Sequence, residues 1–425
     1  MTTSGRVFLP VEWRSYALYA ASKVGPGLVM FAAVPIWTRT FGVEQYGLYS
    51  MCWVATLFSS AFFTGWLSQA LLRHTGDSKF DVDKLPTWVV PTCAVVSAVP
   101  VVVIVFVESS SHSSADTLAL VLSSAIFASL NSLYVVVQTR TQRNDRVGRF
   151  TAAEFVRIGT ALTFSLLGAA LFGGQGSVAI VSGYCVGTAL GLWVLWERPR
   201  ARAARTGRGS EVLTRFWSFG WPMTLWLTVS SMLLYSDRLV IGFLLGAEAV
   251  GTYGSISDVI VRGIGMLTFP ITMRSHPAVM RVWNSGDRHG ALRLTRRYTK
   301  FIIVICGVCV IPGSIFGSPV LESLLHVQIQ SPVIVPALLA GAALWQIGLM
   351  SHKPLEMASR TKTMLATILS ITIPSIGANF LLVPHLGLVA PAIVFCTGAA
   401  LYVGATHYLS RRVKPVIDDP PGVRS

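Results

Sequence analysis

Gly42-Val-Glu-Gln-Tyr-Gly-Leu-Tyr49 and Gly246-Ala-Glu-Ala-Val-Gly-Thr-Tyr253 share the pattern Gly-x-Glu-x-x-Gly-x-Tyr, nearly half a chain apart. Each copy opens the second apolar stretch of its half of the 425-residue sequence. Halves that begin alike on the same side of a membrane point to parallel repeats. Working outward from the two motifs, the sequence reads as an all-α polytopic membrane protein. It has about twelve transmembrane helices in two parallel repeats of six. The first lobe, with an Arg-rich linker, takes residues 1–210 and the second takes 211–425.

The spans predicted for the first half are 15–39, 47–72, 87–107, 116–138, 151–172 and 177–196. Those of the second half are 217–244, 250–274, 299–317, 331–351, 364–384 and 387–409. A span needs about 20 mostly apolar residues, and such stretches fill almost the whole chain. Composition agrees: 52% of residues are hydrophobic, 12% are charged and mean hydropathy is +0.60. Soluble domains carry roughly 25% charged residues, and no segment here is long enough for one. Pro26, Pro222, Pro312 and Pro374 fall inside spans, where neighbouring helices can satisfy the freed backbone groups. No cleavable leader is read in residues 1–14, which run directly into a full-length span.

Charge fixes the expected orientation. Of 34 Lys and Arg, all but Lys23, Arg39, Arg157, Arg238 and Arg262 lie in the termini or in alternate connecting segments. Positive residues accumulate on cytoplasmic loops, so both termini are expected in the cytoplasm, with the protein in the inner (plasma) membrane. The same rule accounts for the net charge of +15 and removes the case for nucleic-acid binding, which needs a basic patch on a soluble surface.

Several motifs carry no chemistry. The six cysteines lie in apolar stretches, and Cys306-x-x-Cys309 lacks a second pair or a nearby histidine. They read as small buried residues. The scattered histidines form no metal-ligand or nucleophilic constellation. There is no Gly-x4-Gly-Lys-Ser/Thr loop for a nucleotide phosphate, so no cofactor, metal or catalytic residue is expected and the chain reads as a transporter, not an enzyme. Gly183, Gly187 and Gly191, spaced by four, form a smooth stripe for close helix packing.

Ionisable residues inside spans cost roughly 2.5–3.5 kcal/mol each on insertion scales and are functional candidates by default. They are Lys23 and Arg39 on the first helix, Glu154 and Arg157 on the fifth, Asp237 and Arg238 on the seventh, and Asp258 and Arg262 on the eighth. Glu154/Arg157 and Asp258/Arg262 are spaced so that each pair can meet on one helix face. Cations outnumber carboxylates, and uncompensated cations in a low-dielectric cavity favour an anion such as a diphosphate. The expected anion-attracting set is Arg39, Lys23, Arg238 and Arg262, with Asp237, Asp258, Glu154 and Arg157 tuning, gating or coupling. Lys23 can alternatively snorkel to the interface, Arg39 can end the first helix at outer head groups, and Glu154/Arg157 can be a self-neutralising packing pair.

Five fragments resemble a known family. Arg39-Thr-Phe-Gly-Val-Glu-Gln-Tyr-Gly-Leu-Tyr49 resembles the first-loop signature of the Wzx-type oligosaccharide flippases. Gly65-Trp-Leu-Ser-Gln-Ala-Leu-Leu-Arg73 is similar to the end of their second helix. Tyr235-Ser-Asp-Arg-Leu-Val-Ile-Gly242 with the second Gly-x-Glu motif resembles their seventh helix and its turn. Phe269-Pro270 with Trp283-Asn-Ser-Gly-Asp287 looks like their next cytoplasmic loop, and Leu381-Leu-Val-Pro-His-Leu-Gly-Leu-Val-Ala-Pro-Ala392 their last turn. The fragments run in order across both halves. They are similar to the multidrug/oligosaccharidyl-lipid/polysaccharide exporter superfamily, whose members usually have fourteen helices where this chain has room for about twelve.

The resemblance implies two parallel six-helix lobes around a central cavity with alternating access to the two membrane faces, and a polyprenyl-diphosphate-linked oligosaccharide carried from the cytoplasmic to the outer leaflet for surface polysaccharide biosynthesis. It implies membrane lipids and polysaccharide polymerase or export proteins as partners, and leaves H+ or Na+ coupling open. In the related lipid II flippases a first-helix arginine in an Arg-x-Phe-Gly setting faces the cavity, and Arg39 is the matching position. Two rivals stand beside this reading. One is a cation-coupled multidrug exporter of the same superfamily, and the other a non-transporting scaffold that recruits partners through its Arg-rich segments.

Overall fold

A computed structural model describes residues 10–73, 85–109, 114–144, 146–172, 175–196, 209–358 and 360–412, with side chains of the first helix described from Val24 onward. Fourteen helical segments account for the described residues: α1 Pro10–Phe41, α2 Val43–Arg73, α3 Val89–Val96, α4 Ala98–Ser109, α5 Ser114–Arg143, α6 Val147–Phe172, α7 Gly176–Leu195, α8 Gly209–Leu245, α9 Ala247–Asn284, α10 Arg288–Leu325, α11 Ile334–Ser351, α12 Lys353–Met357, α13 Thr361–Leu386 and α14 Val389–Arg411. Among the described residues, eleven spans are long and apolar enough to cross a membrane. The twelfth expected span is α1, 32 residues long. It is longer than the roughly 20 residues that a crossing needs.

The helices outrun the predicted spans. Hydropathy reports only the part of a helix that lipid covers, and α9 and α10 (38 residues each) continue well past it. Their turn is closed by Gly286 at φ 89° and by Asp287, whose Oδ1 accepts from Gly290 N at 2.7 Å. The expected third span is broken into α3 and α4 at Ser97. Pro100 has no N–H to offer the carbonyl one turn back. The Ser97 hydroxyl meanwhile bonds the Ala94 carbonyl (2.6 Å) and Ser132 Oγ (2.7 Å). The Arg-rich linker, residues 198–208, lies outside the described residues.

Two lobes result, α1–α7 and α8–α14. In the first, α6 packs along α7 and α1 along α6; in the second, α11 packs along α14 and α13 along α8 and α14. The glycine stripe explains the α6–α7 contact: a Cβ on Gly187 would lie 2.2 Å from the Arg157 carbonyl oxygen. Between lobes, α2 runs against α8 and α9, and α1 against α9.

The repeated motif sits at this inter-lobe seam. Gly42 and Gly246 adopt the same left-handed turn, at φ 83° and 84°, which glycine tolerates without a Cβ clash. Five residues on, the second glycine of each motif meets the other lobe's backbone. A Cβ on Gly47 would lie 1.9 Å from the Ala247 oxygen, and one on Gly251 1.8 Å from the Val43 oxygen. Only glycine lets α2 and α9 cross this closely, so each copy of the motif makes room for the other. The crossing lies at the end opposite the basic segments.

Candidate functional site

Just inside the glycine crossing, α2, α8 and α9 enclose a buried ionic cluster. Asp258 and Arg262, one turn apart on α9, meet at 3.3 Å through Asp258 Oδ2. The same oxygen accepts the Tyr46 hydroxyl of α2 at 2.6 Å. Asp258 Oδ1 accepts from Arg238 of α8 at 2.7 Å, and Arg238 also donates to Ser50 Oγ of α2 at 3.0 Å. Asp237 receives the Arg238 backbone N–H (2.8 Å) and the Tyr253 hydroxyl (2.8 Å). Arg238 is fully buried and Asp258 is 1% exposed. A buried charge is tolerable only when paired and hydrogen-bonded, and here one carboxylate serves two guanidiniums of its own lobe while Tyr46 and Ser50 of the first lobe bond to the pair.

The two arginines differ in what they can reach. Arg238 spends its charge on Asp258 and Ser50. Arg262 is held more loosely: its 3.3 Å contact is the longest on Asp258, and its guanidinium lies 5.4 Å from the Trp53 ring centre. It also lines a cavity of about 540 Å³ between the lobes. α1 contributes Val24 and Met30 to this cavity, α6 Glu154, α9 Met266 and Thr272, and α11 Gln346. These residues lie toward the basic ends of their helices, so the cavity occupies that half of the molecule while the glycine crossing closes the other.

Glu154 stands on the cavity wall within a second polar group. It accepts from Tyr134 at 3.2 Å and from Gln138, and lies 3.9 Å from Arg157. Arg157 donates to Asn131 at 3.0 Å and stacks over Tyr134 at 4.7 Å. Asn131 passes the chain on to Ser60 at 3.0 Å.

The structure therefore brings together Asp237, Arg238, Asp258 and Arg262, and separately Glu154 and Arg157. Arg39 joins neither group. It is exposed at the opposite end, donating to the Ser323 (3.0 Å) and Leu324 (3.1 Å) carbonyls in the last turn of α10. It satisfies carbonyls that lack a helical partner and ties α1 of one lobe to α10 of the other; the resemblance had placed it in a cavity. The Lys23 side chain lies outside the described residues, although Val24 beside it lines the cavity. Sequence reasoning missed Tyr46, Ser50 and Tyr253. Tyr253 closes the repeated motif, where its counterpart Tyr49 bonds Tyr184 at 3.2 Å, so the same position is ionic in one lobe and uncharged in the other.

A model of the polysaccharide biosynthesis protein family matches residues 13–283, from α1 to the end of α9. The chain belongs to the polysaccharide biosynthesis protein family. The matched stretch contains both polar groups, Arg39 and the glycine crossing. No curated protein sequence matches the chain. Among solved structures, the lipid II flippase MurJ in an inward closed conformation superposes with a TM-score of 0.74 at 11% identity, over 93% of this chain and 87% of that one. The inward-facing conformation of a multidrug resistance MATE family transporter of the MOP superfamily gives 0.66 at 16% identity, over 94% and 99%. A MATE protein in complex with MaL6 gives 0.64 at 14%, over 94% and 96%. At these identities the likeness establishes a shared two-lobe helical membrane fold.

Proposed function

We propose that this member of the polysaccharide biosynthesis protein family is a flippase for a polyprenyl-diphosphate-linked oligosaccharide. It moves the glycan from the cytoplasmic to the outer leaflet of the inner membrane, with both termini in the cytoplasm. The observation that carries this reading is Arg262, a cation shared with a buried carboxylate yet open to a cavity between two lobes. A diphosphate offers two negative centres for charge-assisted hydrogen bonds, and the guanidinium can turn to it because Asp258 keeps Arg238 and Tyr46. The sugars would extend toward the cavity mouth, with the polyprenyl chain left in or beside the bilayer.

In this scheme the halves 1–210 and 211–425 rock about the α2–α8 contact. On this reading the cavity, at the basic ends of its helices, opens to the cytoplasm, and the glycine crossing closes the outer seam. Arg238, Asp237 and Asp258 tie the seam, Arg39 guards its outer rim, and Lys23 stays a candidate of the anion-attracting set. Glu154 with Arg157 is the coupling candidate, where H+ or Na+ entry would act. Polysaccharide polymerase or export proteins would consume the delivered glycan.

Glycan analysis of a deletion strain tests the proposal. The lipid-linked intermediate is expected to accumulate on the cytoplasmic leaflet with loss of a surface polysaccharide. Arg262→Gln at normal membrane level is expected to reproduce the deletion, with export down at least tenfold. Unchanged leaflet distribution in both strains, with no second flippase present, overturns the reading.

One observation favours a second reading, cation-coupled drug export: the cavity wall carries a carboxylate, Glu154. Under that reading Glu154→Gln sensitises cells to cationic drugs and leaves surface polysaccharide intact. Under the flippase reading drug susceptibility is unchanged.

A further inference from the structure

α10 presents one continuous stripe to its surroundings. Val304, Val308, Ile311 and Ile315 are 62%, 69%, 67% and 66% exposed and fall within one narrow sector at 3.6 residues per turn. In a membrane protein such a stripe faces lipid. Followed toward the basic end of the helix, the same sector next shows Lys300, Arg297 and Arg293, all exposed. Over about 10 Å of helix, at 1.5 Å per residue, the stripe changes from aliphatic to cationic without leaving its face. None of the three cations has a carboxylate within ion-pair distance among the described residues.

Topology alone does not require this arrangement. The positive-inside bias is satisfied by basic residues anywhere in a segment, on any face. Here the segment is a built helical hairpin. Val279 of α9 and Ala291 of α10 are buried with Met357 of α12, and Trp283, Met280, Leu292 and Tyr298 pack around them. The hairpin therefore holds Arg293, Arg297 and Lys300 in fixed register with the lipid-facing stripe.

We propose that Arg293, Arg297 and Lys300 form a binding site for the headgroup of an anionic phospholipid, whose acyl chains lie along Val304, Val308 and Ile311. Charge complementarity selects the headgroup, and the collinear apolar stripe selects a lipid over an acidic protein. α10 is then held at both ends, by a lipid phosphate at the basic face and by Arg39 of the other lobe at the opposite face. The inference depends on the membrane fold and not on the identity of the cargo.

The test uses the full chain extracted with its surrounding lipid in polymer discs, with retained phosphatidylglycerol measured by mass spectrometry. Binding is also titrated with vesicles of phosphatidylcholine with and without phosphatidylglycerol. Each basic residue near an anionic surface contributes roughly a fivefold factor. Arg293→Gln, Arg297→Gln and Lys300→Gln together are expected to weaken phosphatidylglycerol retention on the order of a hundredfold. The control combines Lys362→Gln, Arg411→Gln and Arg412→Gln, equal in charge removed, and is expected to leave retention unchanged. Arg293→Lys with Arg297→Lys is expected to keep it. Should the triple variant not accumulate, Arg297→Gln and Lys300→Gln singly carry the same test, at about fivefold each. Equal retention in the α10 variant and the control, or equal loss in both, overturns the proposal.

Discussion

Asp258→Asn is expected to be among the most destabilising single substitutions in the chain, costing about 3–5 kcal/mol. The residue is 1% exposed and accepts from Arg238, Arg262 and Tyr46 at once. The change is nearly isosteric, so the loss is one of charge. It strands the buried Arg238 guanidinium with Asp237 as its remaining carboxylate, already engaged by Tyr253 and a backbone amide. Removing one partner of a buried pair leaves the other charged and unsolvated, whereas removing both spares that penalty. Arg238→Met with Asp258→Leu is therefore expected to recover much of the stability that Asp258→Asn loses, with a coupling energy above about 2 kcal/mol. Arg262→Gln is expected to cost far less, because Asp258 retains Arg238 and Tyr46. Thermal melting in detergent and steady-state membrane level measure these three variants, with Arg238→Met and Asp258→Leu singly to close the cycle. A melting point for Asp258→Asn within a degree or two of the parent would show that the cluster does not hold the seam.

These variants also separate the two arginines, which local sequence presents as equals. Asp258 and Arg262 are legible as a pair because both lie on one helix at i,i+4, and the helix repeat alone brings them together. Arg238 is different. Its side chain reaches Ser50 in the other half of the chain and Asp258 on the next helix, and no spacing within residues 235–242 reports which helices pack there. Reading Arg238 as one more cavity cation follows from charge counting, and the α2–α8 contact reassigns its charge to the seam. Arg39 fails to be legible for a related reason. An arginine that ends a helix can turn inward or cap a neighbour, and the choice depends on α10 running on to Leu325, well past the hydropathic span. The spans themselves were readable because lipid imposes length and apolarity on every crossing helix. The break at Ser97 and the α9–α10 hairpin lay beyond that constraint, in a proline's missing donor and in polar turns that hydropathy does not score.

The motif that made the two lobes readable also supplies the other large effect. Gly251→Ala is expected to open the seam at the glycine crossing, which the proposed orientation puts on the outer side. The added Cβ would lie 1.8 Å from the Val43 carbonyl oxygen, and the nearest yielding atoms are backbone. A normal carbon–oxygen contact is well over an ångström longer, so α2 and α9 must separate. Overpacking of this kind costs about 1–3 kcal/mol, which shifts the ratio of closed to open conformers by roughly 5- to 150-fold. Gly47→Ala is expected to act in the same direction from the other lobe, since its Cβ meets the Ala247 oxygen at 1.9 Å. The measurement is labelling of Val250→Cys, at a position fully buried beside the crossing, by a membrane-impermeant maleimide applied from outside. Labelling is expected to be slow in the parent glycine background and at least fivefold faster with Gly251→Ala. The buried Arg238–Asp258 contact need not break for this, because it lies wholly within the second lobe. Tyr46 and Ser50 must let go of that pair, so Tyr46→Phe is expected to add to the effect of Gly251→Ala. Labelling that stays slow in both variants would mean that the two glycines only ease packing, and that the seam opens elsewhere.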